Sequence, residues 1–393
     1  MEPKLDPRIS LRRPHGPPPG VPLPPRRFAR GTTPAPVALE PASSLSLPAA
    51  APAPSDGMWH ERWTTRWARR AVTIPGLFVA TALVLAALPL LLLHAVVSDV
   101  VRRRPLLLCR FHMTIASTFV WHCIGVIAVS AWWVIGRARG MKGARWIAWH
   151  GLLEGWWAGK LVGIARLWYR MKVEVEDADE VAPGPTLILM RHASIVDTML
   201  PSAVLGKPGL RMQMRIVKKR ELLWDPCVDL VSSRVPRAFV RRGSGAPERE
   251  LDAIRHLAGG MGAADAIVIF AEGTRFSPEK QAEVLARLRV KAPEAAERAA
   301  RLRHVLPARP AGTLALLEHC PDMDVVVCAH TGLEGASRLG DFARGTLLDR
   351  TLKMKFWRIP RRAIPDTREG RLEWLEHVWR AVDCWVDTHR AKK

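Results

Sequence analysis

The chain is 393 residues long, enough for one large domain or two ordinary ones, so burying a sizeable core is no obstacle. Lys and Arg outnumber Asp and Glu by 59 to 37, giving a formal net charge of +22 and a pI near 10.8, which directs the molecule toward nucleic acid, anionic lipid or phosphorylated substrates. The six cysteines (Cys109, Cys123, Cys227, Cys320, Cys328, Cys384) are scattered, with no C-x-x-C pair and no His/Cys cluster at zinc-finger spacing; this argues against a structural metal and for reduced thiols in a cytosol-facing body.

Residues 1–57 are rich in Pro, Ala, Ser and Arg and lack any period that could build a buried face, so a disordered basic arm is expected there. No uninterrupted apolar run followed by a cleavage site marks it as a secretory signal. Residues 58–140 are expected to hold an interfacial helix and a membrane hairpin. In "MWHERWTTRWARR" Trp59, Trp63 and Trp67 share one helical face beside Arg62, Arg66, Arg69 and Arg70. Tryptophan next to arginine suits a headgroup boundary, the alternative being an amphipathic helix packed on protein.

The stretch 71–97 carries no formal charge and is long enough to cross a hydrocarbon core of about 30 Å. A second uncharged stretch, 111–136, is interrupted by His112, His122 and small polar residues. Arginines flank both, including "RRR" at 102–104 between them, so either the hairpin dips into one leaflet or the positive-inside rule is broken. Eleven of the sixteen tryptophans lie between Trp59 and Trp168, which puts the wet edge of a bilayer in this region.

Residues 141–393 are expected to form an α/β domain, with short β-branched runs alternating with helical patterns from about 171. The expected strands are 172–176, 186–190, 212–217, 237–241, 266–270 and 324–329. Near the C-terminus Leu372, Leu375, Val378, Val382 and Trp385 form one stripe, so the chain closes with an amphipathic helix against the sheet.

His192 and Asp197 follow the apolar run "TLILM", and Glu272, Gly273, Thr274 and Arg275 follow "AIVIF". Both elements stand at expected strand ends of one sheet, where open α/β sheets keep their sites. From these residues the chain resembles the glycerolipid acyltransferases, the family typified by lysophosphatidic acid acyltransferase, over about residues 145–335. The resemblance rests on H-x4-D (His192 to Asp197), "VKKRELL" at 217–223 ahead of "WDP", "AFVRR" with Arg242 the better match and Arg241 the alternative, and E-G-T-R at 272–275. The stretch 302–318 further resembles the "LP-R-x-G" segment of members that act on lysophospholipids. The pattern departs from the family at Arg191, where asparagine is usual, at Ala271, where proline is usual, and at "VVVCAH", which lacks a proline.

The resemblance implies a central mixed sheet flanked by helices after an N-terminal membrane hairpin. It also implies transfer of an acyl group from acyl-CoA or acyl carrier protein, as co-substrate rather than cofactor, to a lysophospholipid, 1-acylglycerol-3-phosphate above all, giving phosphatidic acid. The residues agree. A neutral imidazole is matched to taking a proton from a hydroxyl near neutral pH, and a carboxylate on the other ring nitrogen fixes its tautomer. Five residues apart on a regular helix the two side chains would point about 140° away from each other, so His192 must precede the helix rather than ride on it, with the chain turning back toward Asp197. Ser194 fits a turn or cap, with a Ser/His nucleophile as the alternative.

Arg275, with Lys219 and Arg242, offers charged donors to a phosphate, and Gly273 lets backbone approach a ligand. Thr274 completes the block, and the family assigns Glu272 and Gly273 to acceptor binding. Competing readings are an enzyme of the same family acting on another lyso-lipid, a basic nucleic-acid-binding protein, and a non-catalytic membrane scaffold. Against specific nucleic-acid binding, the aromatics cluster at the membrane segments and no recognised module appears. A membrane location with the catalytic domain facing the cytoplasm follows.

Overall fold

Runs that are apolar at every position, rather than at alternate ones, make the middle of the sheet. In the computed structural model, which describes residues 9–12, 61–206, 212–241 and 247–390, the order begins with strand β1 (Ile9–Arg12) and helices α1 (Trp63–Val101), α2 (Leu107–Ala138) and α3 (Gly143–Tyr169). Strands β2 (Lys172–Glu176) and β3 (Thr186–Met190), helix α4 (Leu200–Leu205), β4 (Gln213–Lys219), α5 (Pro226–Ser232) and β5 (Arg237–Val240) follow. Then come α6 (Pro247–Leu257), β6 (Asp265–Phe270), α7 (Pro278–Lys291), α8 (Pro293–Ala300) and α9 (Pro310–His319). The chain closes with β7 (Asp324–Thr331), α10 (Leu339–Ala343), β8 (Thr351–Ile359) and α11 (Arg368–His389).

The eight strands form one mixed sheet in the order β1-β2-β8-β7-β3-β6-β4-β5. Every pairing is parallel except β7 with β8. Helices cover both faces, so central strands bury both sets of side chains. Leu187, Leu189, Ile267, Val325 and Val327 face α6, α9 and α11 on one side, while Ile188, Met190, Val268, Val326 and Cys328 face α3 and α4 on the other. Each such burial contributes roughly 1.5–3 kcal/mol. The C-terminal stripe behaves as its spacing predicts: Leu375, Val378, Val382 and Trp385 are buried in the first of these layers.

Two strands extend the sheet beyond the sequence reading. Strand β8 alternates Leu352, Met354 and Phe356 with Lys353 and Lys355, and its lysines disguise it. Lys355 is buried, with Nζ 3.5 Å from both Glu176 and Asp177. Within the arm expected to be disordered, Ile9–Arg12 adds as a parallel edge strand on β2, whose outer edge would otherwise be unpaired. The remainder of 1–57 lies outside the described residues, as does Trp59.

Helices α1 and α2 contain the two uncharged stretches, pack together across a short connection, and are each long and apolar enough to cross a membrane. Leu83, Leu90 and Leu93 of α1 are exposed, as are Trp63 and Trp67, whose ring centroids lie 6.1 Å apart on one face. Asp99 organises the turn: its buried Oδ2 accepts N–H bonds from Leu108 (2.9 Å) and Cys109 (3.2 Å) at the start of α2.

The hairpin is fastened to the α/β body by polar contacts. Asp229 of α5 accepts from Arg69 (3.0 Å) and Arg70 (2.9 Å), so two arginines expected at a headgroup layer are instead buried in ion pairs. His122 Nε2 lies 3.0 Å from Asp225, which also caps α5 by accepting from the N–H groups of Cys227 and Val228. Asp229→Ala leaves the buried Arg70 guanidinium without a carboxylate, while Arg69 keeps Glu61, and the expected loss is about 3–5 kcal/mol. Thermal unfolding of the full chain in detergent measures it; an unchanged midpoint would show that α1 does not depend on this contact.

Candidate active site

The strands β7, β3, β6, β4 and β5 run parallel, so their C-terminal ends fall along one side of the sheet. His192 follows β3, Glu272 follows β6, Lys219 ends β4, and His330 lies near the end of β7. Directly after β3 the chain turns, then enters a 3-10 turn over Val196–Met199 that leads into α4. This is the strand-turn-helix path that the H-x4-D spacing requires.

Within the turn His192 Nδ1 lies 3.1 Å from Asp197 Oδ2. The same oxygen accepts the backbone N–H groups of Ala193 and, at 2.7 Å, Ser194. Asp197 is fully buried. Burial alone would raise its pKa, but His330, His192 and the Ser194 N–H outweigh that effect and hold it below the usual carboxylate range. An ionised carboxylate on Nδ1 leaves Nε2 as the proton-accepting nitrogen; that nitrogen has no partner among the described residues. The imidazole rests on Phe270, ring centroids 4.5 Å apart. Ser194 is spent locally: its hydroxyl donates to the Ala336 carbonyl (3.1 Å) and accepts from the Val196 N–H (3.1 Å).

His192, Lys219, Gly273, Thr274 and Arg275 line one cleft of about 400 Å³, together with Lys218 and Arg309. The Arg275 guanidinium has no partner among the described residues. Gly273 has φ +66°, and a Cβ there would come within 2.7 Å of Arg309 Cδ, so both backbone conformation and space call for glycine. Lys218 pairs with Glu154 of α3 at 3.3 Å, and burial lowers its pKa to about 8. Arg242 lies outside the described residues; the alternative, Arg241, donates its backbone N–H to Glu250.

Glu272 stands apart from the other members of its block. It is 1% exposed, and its two oxygens accept the His192 N–H (2.9 Å) and the Leu306 N–H (2.8 Å). Burial pushes this carboxyl up to about 8, against the pull of Arg191 and those two donors. Where the resemblance implied contact with the acceptor, the geometry gives a bracket tying the His192 loop to the segment after α8.

Arg191, the departure from the usual asparagine, is completely buried. It donates to the carbonyls of His330 (2.6 Å) and His304 (2.8 Å) and pairs with Glu334. Burial opposes ionisation of Glu334, but the Arg191 charge outweighs it and holds the carboxyl at about 2. His330 donates from Nε2 to the Arg191 carbonyl (3.0 Å), and the same nitrogen stands 3.6 Å from Asp197. Sequence reasoning missed Arg191 and His330 as supports and Lys218 as a lining residue. The strand-end position of Arg191 was the available signal.

Residues 172–309 match the family model described as Acyltransferase. No curated protein matches the chain. Among solved structures, the 1-acyl-sn-glycerophosphate (LPA) acyltransferase PlsC of Thermotoga maritima is similar, with 15% sequence identity and a TM-score of 0.45 over 71% of this chain and 98% of that one. The blocks from His192 to Arg275 all lie within the matched residues, and the chain thus carries, over 172–309, a domain of the acyltransferase family.

Proposed function

We propose that this protein is a membrane-bound acyltransferase that moves a fatty acyl group from a thioester donor, acyl-CoA or acyl carrier protein, to the free hydroxyl of a lysophospholipid. The favoured acceptor is 1-acylglycerol-3-phosphate and the product phosphatidic acid. The observation that carries this reading is the His192–Asp197 contact of 3.1 Å at the edge of a cleft that also holds Lys219 and Arg275. A base and an anion-binding group side by side suit an alcohol that carries a phosphate.

In the reaction, Nε2 of His192 takes the hydroxyl proton as the oxygen attacks the thioester carbonyl. The C–O bond forms, the C–S bond breaks, and the imidazolium returns its proton to the departing thiolate. Asp197 holds the ring in the required tautomer and stabilises the imidazolium while it exists. No acyl-enzyme is needed, in keeping with a Ser194 hydroxyl engaged by Ala336 and Val196. Arg275 and Lys219 receive the acceptor phosphate, with Arg242 and Thr274 as further candidates. The apolar helices α1 and α2 support a membrane location, and the scattered cysteines support a catalytic domain on the cytoplasmic side.

Membranes carrying the wild-type chain are expected to transfer labelled acyl groups from acyl-CoA to lysophosphatidate, and His192→Ala to lose more than roughly a hundredfold of that rate, the scale of a lost general base. Equal rates in the two preparations would end the mechanism. Arg275→Ala is expected to raise KM for a phosphorylated acceptor by about tenfold or more while changing kcat little, as for loss of uniform binding. An acceptor series with and without the phosphate checks this, and an unchanged KM would move phosphate binding elsewhere.

A further inference from the structure

A second cavity, of about 520 Å³, lies against the first and shares Thr274 and Arg309 with it. Its walls come from α7, α8, the segment 301–310 and α11. The inner surface is apolar, with Leu302, Leu375 and Trp379 buried in it. Six cations line it: Arg287, Lys291, Arg298, Arg301, Arg309 and Arg380. Two carboxylates also line it, Glu272, already bound to backbone N–H groups, and Glu376, which pairs with Arg298 at 3.0 Å. Arg287 pairs with Glu283. Lys291, Arg301, Arg309 and Arg380 have no carboxylate partner among the described residues.

A cavity meant for hydrocarbon alone has no use for such a rim, since unpaired cations repel one another unless an anion joins them. The acceptor phosphate already has Arg275 and Lys219 in the first cleft. The other substrate of the proposed reaction must place its thioester beside His192 while the rest of it lies elsewhere, and the wall formed by Thr274 and Arg309 joins the two spaces. We infer that the second cavity binds the phosphorylated nucleotide end of coenzyme A, with the pantetheine arm passing Thr274 and Arg309 toward His192. This rests on the acyl-transfer reading and deepens it. The charge is complementary, because one diphosphate and one phosphomonoester meet a cluster of lysine and arginine. The exposed cations line a concavity whose interior is apolar, so phosphates would stay near solvent while a ring system enters the cavity.

The test uses the full chain in lipid nanodiscs and the double variant Arg301→Ala/Arg380→Ala. With acyl-CoA as donor, KM is expected to rise at least about tenfold, while KM for acyl-pantetheine, which lacks the nucleotide, and KM for the acceptor stay unchanged. An unchanged KM for acyl-CoA, or an equal rise for both donors, would overturn the assignment. So would transfer from acyl carrier protein with no retention of coenzyme A. Equilibrium dialysis with free coenzyme A gives a readout independent of turnover: binding should weaken at least tenfold in the variant, and equal binding would contradict the site. A wild-type chain that binds coenzyme A through these residues yet transfers no acyl group would refute the proposed reaction and leave the nucleotide site standing.

Discussion

One buried carboxylate sets the geometry on which the candidate site depends. A single oxygen of Asp197 receives His192 Nδ1 and the N–H groups of Ala193 and Ser194, so the chain between the two motif residues is folded around it. Glu272 does the complementary task from the neighbouring strand, holding the His192 backbone N–H and joining it to Leu306. With Arg191 tying the ends of β3 and β7 to the segment at His304, the imidazole is positioned by backbone as much as by side chains. Such over-determined support is what a base needs if it is to sit in productive geometry before a substrate arrives.

The central strands were legible because their residues are apolar on both faces: "TLILM", "AIVIF" and "DVVVCA" admit no exposed side. The C-terminal helix was legible from its 3.6-residue stripe. Strand β8 escaped because its lysines look solvated until Glu176 and Asp177, distant in sequence, come beside Lys355. The H-x4-D turn was readable from the apolar run before it taken together with helix geometry, which keeps His192 off the helix. Glu272 was not, since a carboxylate that binds substrate and one that binds backbone N–H groups have the same letter in a sequence. Likewise Arg191 read as a lost asparagine until Glu334 and two loop carbonyls gave it partners. The arginines of α7, α8 and α11 each resemble an ordinary solvated helix face, and only the packing of those helices gathers them around one cavity.

The apolar hairpin and the candidate site are parts of one framework. Asp225 and Asp229, on the segment that follows the Lys219 strand, bind His122 of α2 and Arg69 and Arg70 of α1. Glu154 of α3 pairs with Lys218 and Arg237, linking the helix beside the hairpin to a lysine that lines the cleft and to the start of β5. In the proposed reaction this linkage keeps the base close to the lipid that carries the hydroxyl. Charge divides between the two spaces, with Arg275 and Lys219 lining the cleft at His192 and the second cluster lining the cavity that shares Arg309 with it.

The most direct measurement of the proposed role for the buried carboxylate is kcat for Asp197→Asn at saturating donor and acceptor. The asparagine retains an oxygen for the backbone N–H groups but removes the charge that favours an Nδ1–H tautomer and stabilises an imidazolium. A fall in kcat of about a hundredfold to ten-thousandfold, with the fold intact by circular dichroism, is the predicted result. A kcat within a few fold of wild type would contradict it, because His192 would then work without the partner that defines its place.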